Sequence, residues 1–484
     1  MRRPHLIFLM TDQLRCDMLG PFGSEQCATP KLDILAQRST VFQRHFTTCP
    51  LSVPARGSIA TGLHTHQHGA IISGWFEHER AYGAIRPEIP LIHRPLLDAG
   101  YHIVQAGVQH LRTQPELAQL FPEIEFVGPM SVGEHLRTLD ARGLLYGNVG
   151  AFRDPVIDYD RHKPVVYSAT SPRTGVFPLR EELFFDQTLG RNIVETIQRH
   201  ADQRRDTPLA LFGMFWTPHA PLWAPQEWAQ MYDPAQVRLP PTVGRWMPGM
   251  PVMQLANIPG QLGAHVSEDQ WRRAWAMYMG MVSMLDRVLG RVFAALDYAG
   301  MLDDALIVFT ASHGEMLGSH GLFQKMCLYD EAVRVPLMIK LPGQTAGRRV
   351  RDLTSHVDLA STITEVCDAA ALPDTSGMSL ASLAGGERAA GGHRNYVFAA
   401  YDGNAGRSFH HRMVRSKTHK LIYNIDDRAE LYDLVDDPFE TRNVAGREEY
   451  RDIERPLRLR LNEWMDEVGD PQPRCATSPS GDGR

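Results

Sequence analysis

Residues 48–62 read TCPLSVPARGSIATG and place a hydroxyl, a proline and an arginine in fixed register. Pro54 suits the first turn of a helix, because its missing N–H would have no partner there. Ser52 would lie just before this helix, beside free backbone N–H groups and the positive end of the helix dipole. Such a helix start favours an anion, so we expect a sulfuryl or phosphoryl group near Ser52. A plain helix cap followed by proline is the alternative.

Two short apolar runs predict strands that deliver polar residues to the same place. Residues 5–10 read HLIFLM and residues 305–310 read ALIVFT, which is typical of buried parallel strands. The polar residues after the two runs are Asp12, Gln13, Ser312 and His313. Because the carboxyl ends of parallel strands meet at one edge of an open α/β sheet, we expect these side chains to form one site.

The register Ser-x-Pro-x-Arg followed by Thr-Gly resembles the active-site signature of the sulfatases, a family of the alkaline phosphatase superfamily. The resemblance covers nearly the whole chain. It implies that Ser52 is the nucleophile and that Arg56 lies beside it, whereas Cys49 is out of register. It also implies an α/β fold with a large mixed, mostly parallel sheet flanked by helices, as in alkaline phosphatase, and a small C-terminal antiparallel α+β domain.

The same resemblance implies a metal site. Its ligands would be Asp12, Gln13, His313 and Ser312. Sulfatases usually have an aspartate before the histidine of the second strand, where this chain has Ser312. One carboxylate fewer weakens a calcium site, and a histidine ligand makes manganese more plausible than calcium. We therefore expect one divalent cation, calcium or manganese.

Three further residues lie in segments that resemble the part of the sulfatase site that contacts the anion. By this resemblance, His219 and Lys325 would contact oxygens of the bound ester, and one of them would protonate the departing alcohol. His110 follows a strand and turn in which Val108 stands where the family usually has lysine. A single lysine or histidine is more often a surface or structural residue. Their order and spacing beside the two strands favour the functional interpretation.

Three functions are compatible with these residues. The leading hypothesis is a sulfuric ester hydrolase that acts through Ser52, either unmodified or converted by a maturase to formylglycine. The second is a phosphonate monoester or phosphodiester hydrolase, in which Ser52 would form a phospho-enzyme. The third is a metal-free or catalytically degraded protein with the sulfatase fold that binds an anionic ligand, as Ser312 and Val108 suggest. The expected partner is a small sulfate, phosphate or phosphonate ester.

Composition shifts divide the chain into parts. We predict a catalytic domain over residues 1–382, a glycine-rich linker-like stretch over 383–394 and a small antiparallel domain over 395–475. The polar tail, residues 476–484, is predicted to be disordered. The pattern also predicts long helices, which span 182–200, 268–296 and 450–468.

Bulk properties narrow the choice of partners. The chain has 484 residues, of which 43% are hydrophobic and 22% charged, so it can bury a large core. A net charge of −6 without a long basic run argues against nucleic acid. No apolar run approaches the ~20 residues of a membrane span, and the first core strand follows Met1 closely, so we expect a cytoplasmic protein without a membrane partner. The sequence leaves a homo-oligomer open.

Overall fold

The computed structural model describes residues 3–74, 80, 82–144, 149–160, 163–204, 206–387, 392–403 and 409–477. Its strands are β1 (Leu6–Asp12), β2 (Thr40–Phe42), β3 (His45–Phe46), β4 (His102–Gly107), β5 (Glu125–Val127), β6 (Arg153–Asp160), β7 (Lys163–Thr170), β8 (Thr174–Val176), β9 (Leu209–Pro218), β10 (Leu222–Ala224), β11 (Leu306–Ala311), β12 (Arg334–Val335), β13 (Leu337–Lys340), β14 (Arg348–Val350), β15 (Thr354–Ser355), β16 (Val397–Asp402), β17 (His410–Arg415), β18 (His419–Asn424) and β19 (Glu430–Asp433).

Its α-helices alternate with these strands along most of the chain. They are α1 (Pro30–Ala36), α2 (Ser52–Thr61), α3 (Thr65–His68), α4 (His93–Asp98), α5 (Leu117–Leu120), α6 (Val132–Ala141), α7 (Phe185–Gln203), α8 (Gln226–Ala229), α9 (Met253–Ala256), α10 (Ile258–Gly263), α11 (Glu268–Tyr298), α12 (Asp330–Val333), α13 (Asp358–Val366), α14 (Ala381–Gly385) and α15 (Arg451–Glu467). The three long helices predicted from the sequence correspond to α7, α11 and α15.

An eight-stranded sheet with the order β14-β2-β13-β11-β1-β9-β4-β5 forms the centre of the fold. Strand β1 pairs in parallel with β11 on one side and with β9 on the other. Strand β13 runs antiparallel to both of its neighbours, so the sheet is mixed but mostly parallel. Every residue of β1 and β11 is buried, as expected for strands covered on both faces. The predicted fold class is confirmed.

Separate apolar clusters cover the two faces of this sheet. On one face, α7 and α11 contribute Ile193 and Leu285 to the larger cluster. On the other face, α2, α4 and α13 contribute Ile59, Leu96 and Ile363. The strands can therefore bury apolar side chains on both sides, and polar groups collect where the strands end.

A four-stranded antiparallel sheet, β16-β17-β18-β19, follows near the C terminus. Its apolar face packs with Leu461 and Trp464 of α15. Two contacts join this C-terminal region to the segment around α2. Ala400 N–H donates to the Thr48 carbonyl over 2.9 Å, and the rings of His64 and Trp464 meet edge to face with centroids 5.3 Å apart.

The proposed boundaries at residues 383–394 and 476–484 stay predictions. Residues 388–391 of the linker and 478–484 of the tail lie outside the described residues, and the start of the linker belongs to α14. In the part of the chain that the structure describes, no helix is both long enough and apolar enough to cross a membrane.

Candidate active site

Helix α2 presents Ser52 at its first position, one residue earlier than the sequence predicts. Leu51 has extended backbone angles (φ −137°, ψ 142°), and its carbonyl accepts the Ala55 N–H over 3.1 Å, so the first turn already closes around Ser52. Pro54 lies in this first turn, as predicted, where no N–H is needed. Gly62 ends the helix in the left-handed region, with φ 71°. Ser52 is thus fixed at the N-terminal end of a buried helix.

The carboxylate of Asp12, at the end of β1, is the centre of the site. Ser52 Oγ lies 2.8 Å from Oδ1 and 2.9 Å from Oδ2. Ser312 Oγ donates to Oδ1 over 3.1 Å, and His313 Nε2 is 3.1 Å from the same oxygen. Burial acts to raise the pKa of Asp12, but hydrogen bonds with His110 and His313 hold it well below its usual range. Asp12 is therefore an anion at neutral pH.

His313 faces this carboxylate with a nitrogen that carries a lone pair. Its Nδ1 lies 3.0 Å from the Gly314 carbonyl and donates to it, so Nε2 is unprotonated in the neutral ring. Burial, together with the charge of Lys325, lowers the pKa of His313 and favours the neutral form. The hydrogen bond that lowers the pKa of Asp12 therefore requires a proton on Nε2 as well. Without that proton, the lone pairs of His313 and Asp12 face each other, and a cation between them would take its place.

This arrangement can be compared with the predicted metal site. Among the described residues, no three His, Cys, Asp or Glu side chains form a group that could hold a metal ion. Asp12 and His313 do converge, and the hydroxyls of Ser52 and Ser312 add oxygen donors. These four groups fit a small cation with a single carboxylate ligand.

Gln13, the remaining predicted ligand, is held by other partners. Its amide oxygen accepts a hydrogen bond from Lys325, and its amide nitrogen donates to Glu315. The backbone of Gln13 has φ 63°, in the left-handed region. Its side chain is thus occupied away from Asp12.

Arg56 and His110 complete the surroundings of Asp12. The Nη2 atom of Arg56 is 3.3 Å from Asp12 Oδ2, and Nη1 donates to the Val108 carbonyl over 2.6 Å. His110 Nδ1 is 3.5 Å from Asp12 Oδ2, and burial lowers the pKa of this histidine. Val108 therefore contributes its backbone, because the carbonyl orients Arg56.

Lys325 and His219 form a second pair in the site. Lys325 Nζ donates to His219 Nε2 over 2.8 Å, while His219 Nδ1 donates to the Ala220 carbonyl over 2.7 Å. Burial and the neighbouring Lys325 hold the pKa of His219 well below its usual value, so the imidazole is neutral. Burial lowers the pKa of Lys325 to about 8, against the opposing effect of Asp12 and Glu315. Lys325 is therefore a cation that can release a proton near neutral pH.

The sequence interpretation gave no role to two buried acids that support these groups. Glu315 accepts backbone N–H groups from Leu317 over 2.9 Å and from Gln324 over 2.6 Å, besides the amide of Gln13. Asp186 accepts the N–H groups of Trp216 over 3.0 Å and Thr217 over 2.7 Å, in the segment that carries His219. In the sequence, Asp186 resembles an ordinary acidic residue in the first turn of a helix.

Comparison with known proteins identifies the family. Residues 4–369 match the sequence model of the sulfatases, and residues 318–467 match that of the C-terminal region of N-sulphoglucosamine sulphohydrolase. The chain belongs to the sulfatase family. It is 27% identical to a choline-sulfatase of Rhizobium meliloti over 461 residues, which cover 92% of this chain and 82% of that protein. An arylsulfatase of Clostridium perfringens is 25% identical over 471 residues, covering 93% and 92%.

Solved structures place this sulfatase family member in the wider superfamily. A phosphonate monoester hydrolase from Silicibacter pomeroyi superposes with a TM-score of 0.78 at 25% identity, covering 96% of this chain and 95% of that one. The resemblance to sulfatases of the alkaline phosphatase superfamily, predicted from the sequence, is confirmed. The protein is a sulfatase-like hydrolase.

Proposed function

We propose that the protein hydrolyses a small sulfate ester and that the oxygen on Cβ of residue 52 attacks sulfur. The observation that carries this proposal is the position of Ser52 Oγ, at the start of α2 and within 3.0 Å of both Asp12 and His313. The helix start and Arg56 provide positive potential for the sulfuryl oxygens. Similarity to choline-sulfatase and arylsulfatase supports a sulfate ester as substrate.

Lys325 and His219 supply the groups for the departing alcohol. As the nucleophile forms its bond to sulfur, the bond between sulfur and the ester oxygen breaks and this oxygen needs a proton. Lys325, with its pKa lowered to about 8, holds such a proton at neutral pH. His219 accepts from Lys325 and is neutral, so it orients the ammonium group and adds no charge. Lys325 is accordingly assigned as the general acid.

A maturase would make Ser52 a better nucleophile. We propose that the maturase removes two electrons and two protons from the CH2–OH group of Ser52 and passes the electrons to its own oxidant, which gives formylglycine. Addition of one water then gives a hydrate with two hydroxyls. One hydroxyl attacks sulfur, and loss of the proton from the other then expels sulfate and restores the aldehyde. This route needs no attack of water on the sulfated enzyme. The support is the Ser-x-Pro-x-Arg register of Ser52, Pro54 and Arg56.

We also propose one divalent cation, calcium or manganese, at Asp12 and His313, with the hydroxyl of Ser312 beside them. When bound, such an ion supplies charge stabilisation as a Lewis acid. The support is the pair of facing electron donors, Asp12 Oδ1 and His313 Nε2, which lie 3.1 Å apart. A cytoplasmic location and a homo-oligomer stay predictions from the sequence.

A phosphonate monoester or phosphodiester hydrolase is the second candidate. The similarity to the phosphonate monoester hydrolase from Silicibacter pomeroyi, which extends over 96% of this chain, favours it. In this case Ser52 would attack phosphorus, and the Arg56 guanidinium and the proposed divalent cation would surround the phosphoryl oxygens.

A substrate panel distinguishes the two candidates. We would compare kcat/KM for choline sulfate, an aryl sulfate and an aryl phosphonate monoester, using protein produced with and without a formylglycine-forming maturase. Sulfate turnover that depends on the maturase supports the first proposal. Turnover of only the phosphonate ester supports the second. Loss of two hydrogens from the peptide that contains Ser52, measured by mass spectrometry, would report the modification independently of activity.

A further inference from the structure

A second concentration of positive charge lies around a cavity of about 270 Å³. We call it the arginine cavity, and its polar lining consists of Gln43, Arg44, Asp330, Arg334, Arg351 and Arg415. None of the candidate active-site residues lines it. Four guanidinium groups in one small cavity are unexpected in a chain with a net charge of −6.

Three sheets contribute to the arginine cavity: the central sheet through β14, the C-terminal sheet through β17 and a small sheet of order β12-β3-β15. Arg44 lies between β2 and β3, and Arg351 directly follows β14. Arg334 begins β12, while Arg415 ends β17 of the C-terminal sheet. Arg334 and Arg415 are therefore placed by strands, and Arg44 and Arg351 are each directly adjacent to the end of one.

Two of the four guanidinium groups, those of Arg334 and Arg351, are anchored through their Nε atoms. Arg334 Nε donates to the Gln43 carbonyl over 3.0 Å, and Arg351 Nε donates to Gln43 Oε1 over 3.2 Å. Within the described part of the chain, the Nη atoms of Arg334 and Arg351 form no hydrogen bond. The guanidinium of Arg415 lies over the Phe46 ring, 4.7 Å from its centroid. The Nη groups of Arg334 and Arg351 are therefore available to a ligand, whereas Arg44 Nη1 donates to the Lys417 carbonyl over 3.4 Å and Arg415 Nη1 to the Ser416 carbonyl over 3.3 Å.

Arg415 has a buried hydrogen-bond donor, its Nε–H, without an acceptor among the described residues. The residue as a whole is only 6% exposed. Its Nη2 is 3.4 Å from Asp330, but that carboxylate already lies 2.6 Å from Lys420 Nζ. Burying a donor without an acceptor is costly, so an acceptor from outside the chain would stabilise this arrangement.

The charges in the arginine cavity are not balanced. Asp330 is the one carboxylate in its lining, against four guanidinium groups. Arg44 shows the effect, because burial and then the charges of Arg415, Arg334 and Arg351 lower its pKa. Mutual repulsion of this kind is relieved by a bound anion.

We propose that the arginine cavity binds a tetrahedral oxyanion, sulfate or phosphate, either free or as the end group of an ester. Guanidinium groups bind such anions through paired N–H donors, and they do so better than ammonium groups. A second cavity shares Arg44 and Arg351 and has both charges in its lining, Arg348, Arg349 and Lys417 against Asp352 and Glu387, so an organic group attached to the anion could extend there. This site is separate from the proposed hydrolysis and does not depend on it.

Isothermal titration of the full chain with sodium sulfate and sodium phosphate, at constant ionic strength set with chloride, tests the proposal. All titrations would use the Lys325→Met background, which weakens anion binding at the candidate active site. Replacing Arg44 and Arg351 together by glutamine removes two of the four guanidinium groups. We expect the dissociation constant to rise at least about tenfold, because hydrogen bonds to a charged ligand are lost.

The matched control is Arg238→Gln, which removes an exposed arginine that pairs with Glu25 over 3.2 Å. This control should bind sulfate as strongly as the parent. Thermal unfolding in chloride checks folding, and we expect the double variant to be at least as stable as the parent there, since repulsion is reduced. Equal sulfate binding by the double variant and the parent, or an equal loss in Arg238→Gln, would overturn the proposal.

Discussion

Ser52 Oγ lies within 2.9 Å of both carboxylate oxygens of Asp12, although 40 positions separate the two residues in the sequence. One residue begins a helix and the other ends a strand, so the relationship depends on how α2 packs against the central sheet. A carboxylate this close can orient the hydroxyl and accept its proton. The proposed nucleophile and the main anion of the site are therefore held together as one unit.

Deletion of the hydroxyl in Ser52→Ala should lower kcat/KM by at least about a thousandfold, because no other group can form the bond to sulfur or phosphorus. Steady-state kinetics with the best ester of the panel measures this loss. Ser58→Ala is the matched control in the same helix, since Ser58 bonds to Thr48 and His68 and does not contact Asp12. Retained activity in Ser52→Ala would refute the assignment of the nucleophile.

The pH dependence of kcat/KM should report the protonation state of Lys325. In the proposed mechanism the protonated amine is the active form. Its pKa is lowered to about 8, so kcat/KM should fall as the pH rises through about 8. Lys325→Arg keeps the positive charge but cannot release a proton in this range, so the rate should drop and this alkaline limb should disappear.

The control for this profile is Lys340→Arg. Burial also lowers the pKa of Lys340 to about 8, but its amine donates to the Asp303 carbonyl over 2.6 Å, away from the candidate site. This variant should keep the alkaline limb of the parent. A limb that moves in Lys340→Arg and stays in Lys325→Arg would contradict the role of Lys325.

Glu315→Gln should move the alkaline limb of the kcat/KM profile to lower pH. The negative charge of Glu315 raises the pKa of Lys325, so its removal lowers that pKa and deprotonates the amine earlier. A pH profile of kcat/KM measures the shift. The exposed Glu365, on α13, provides a control through Glu365→Gln. An unchanged alkaline limb in Glu315→Gln would mean that the charge of Glu315 does not affect the pKa of Lys325.

Ser312→Asp should make the site depend on a cation. Ser312 Oγ is 3.1 Å from Asp12 Oδ1, so the substitution sets two carboxylates side by side. Their repulsion lowers stability unless a cation lies between them. We expect the thermal midpoint to rise by several degrees when calcium or manganese replaces a chelator, and metal content by elemental mass spectrometry to increase.

Ser312→Asn, which is nearly isosteric with the aspartate but uncharged, is the control for this experiment. It should respond to cations no more than the parent does. Equal responses of the two variants would contradict the predicted electrostatic effect. A large gain of activity in Ser312→Asp would favour the hypothesis of a catalytically degraded site, whereas a loss would show that Ser312 belongs to a working one.

Trp464→Ala should destabilise the protein strongly. Trp464 is 2% exposed, stacks on Phe398 at 5.0 Å and contacts His64. Loss of such a side chain costs about 3–5 kcal/mol. Chemical denaturation measures the free energy of unfolding. Leu459→Ala, in the same helix but 43% exposed, should change it by less than about 0.5 kcal/mol. Similar values for the two variants would contradict the importance of this contact.

The sequence predicted the parts of the site that depend on local pattern. The apolar runs that become β1 and β11 revealed both strands, and the residues at their ends do meet. The direction of the Gln13 side chain could not be predicted, because it depends on a left-handed backbone angle and on Lys325, 312 positions away. The antiparallel direction of β13 could not be predicted either, since an apolar run does not show in which direction its strand runs. The start of α2 was wrong by one residue because Leu51, an atypical cap, closes the turn.

The burial of Ser52 constrains when it can be modified. The residue is only 8% exposed, and its hydroxyl already has partners in Asp12 and His313. A maturase could not draw this side chain into its own active site once the strands had assembled. Since β11 and β16 are synthesised long after α2, the emerging chain offers a period in which Ser52 is accessible. Maturation would then compete with folding, and the speed of synthesis would influence the fraction of active enzyme.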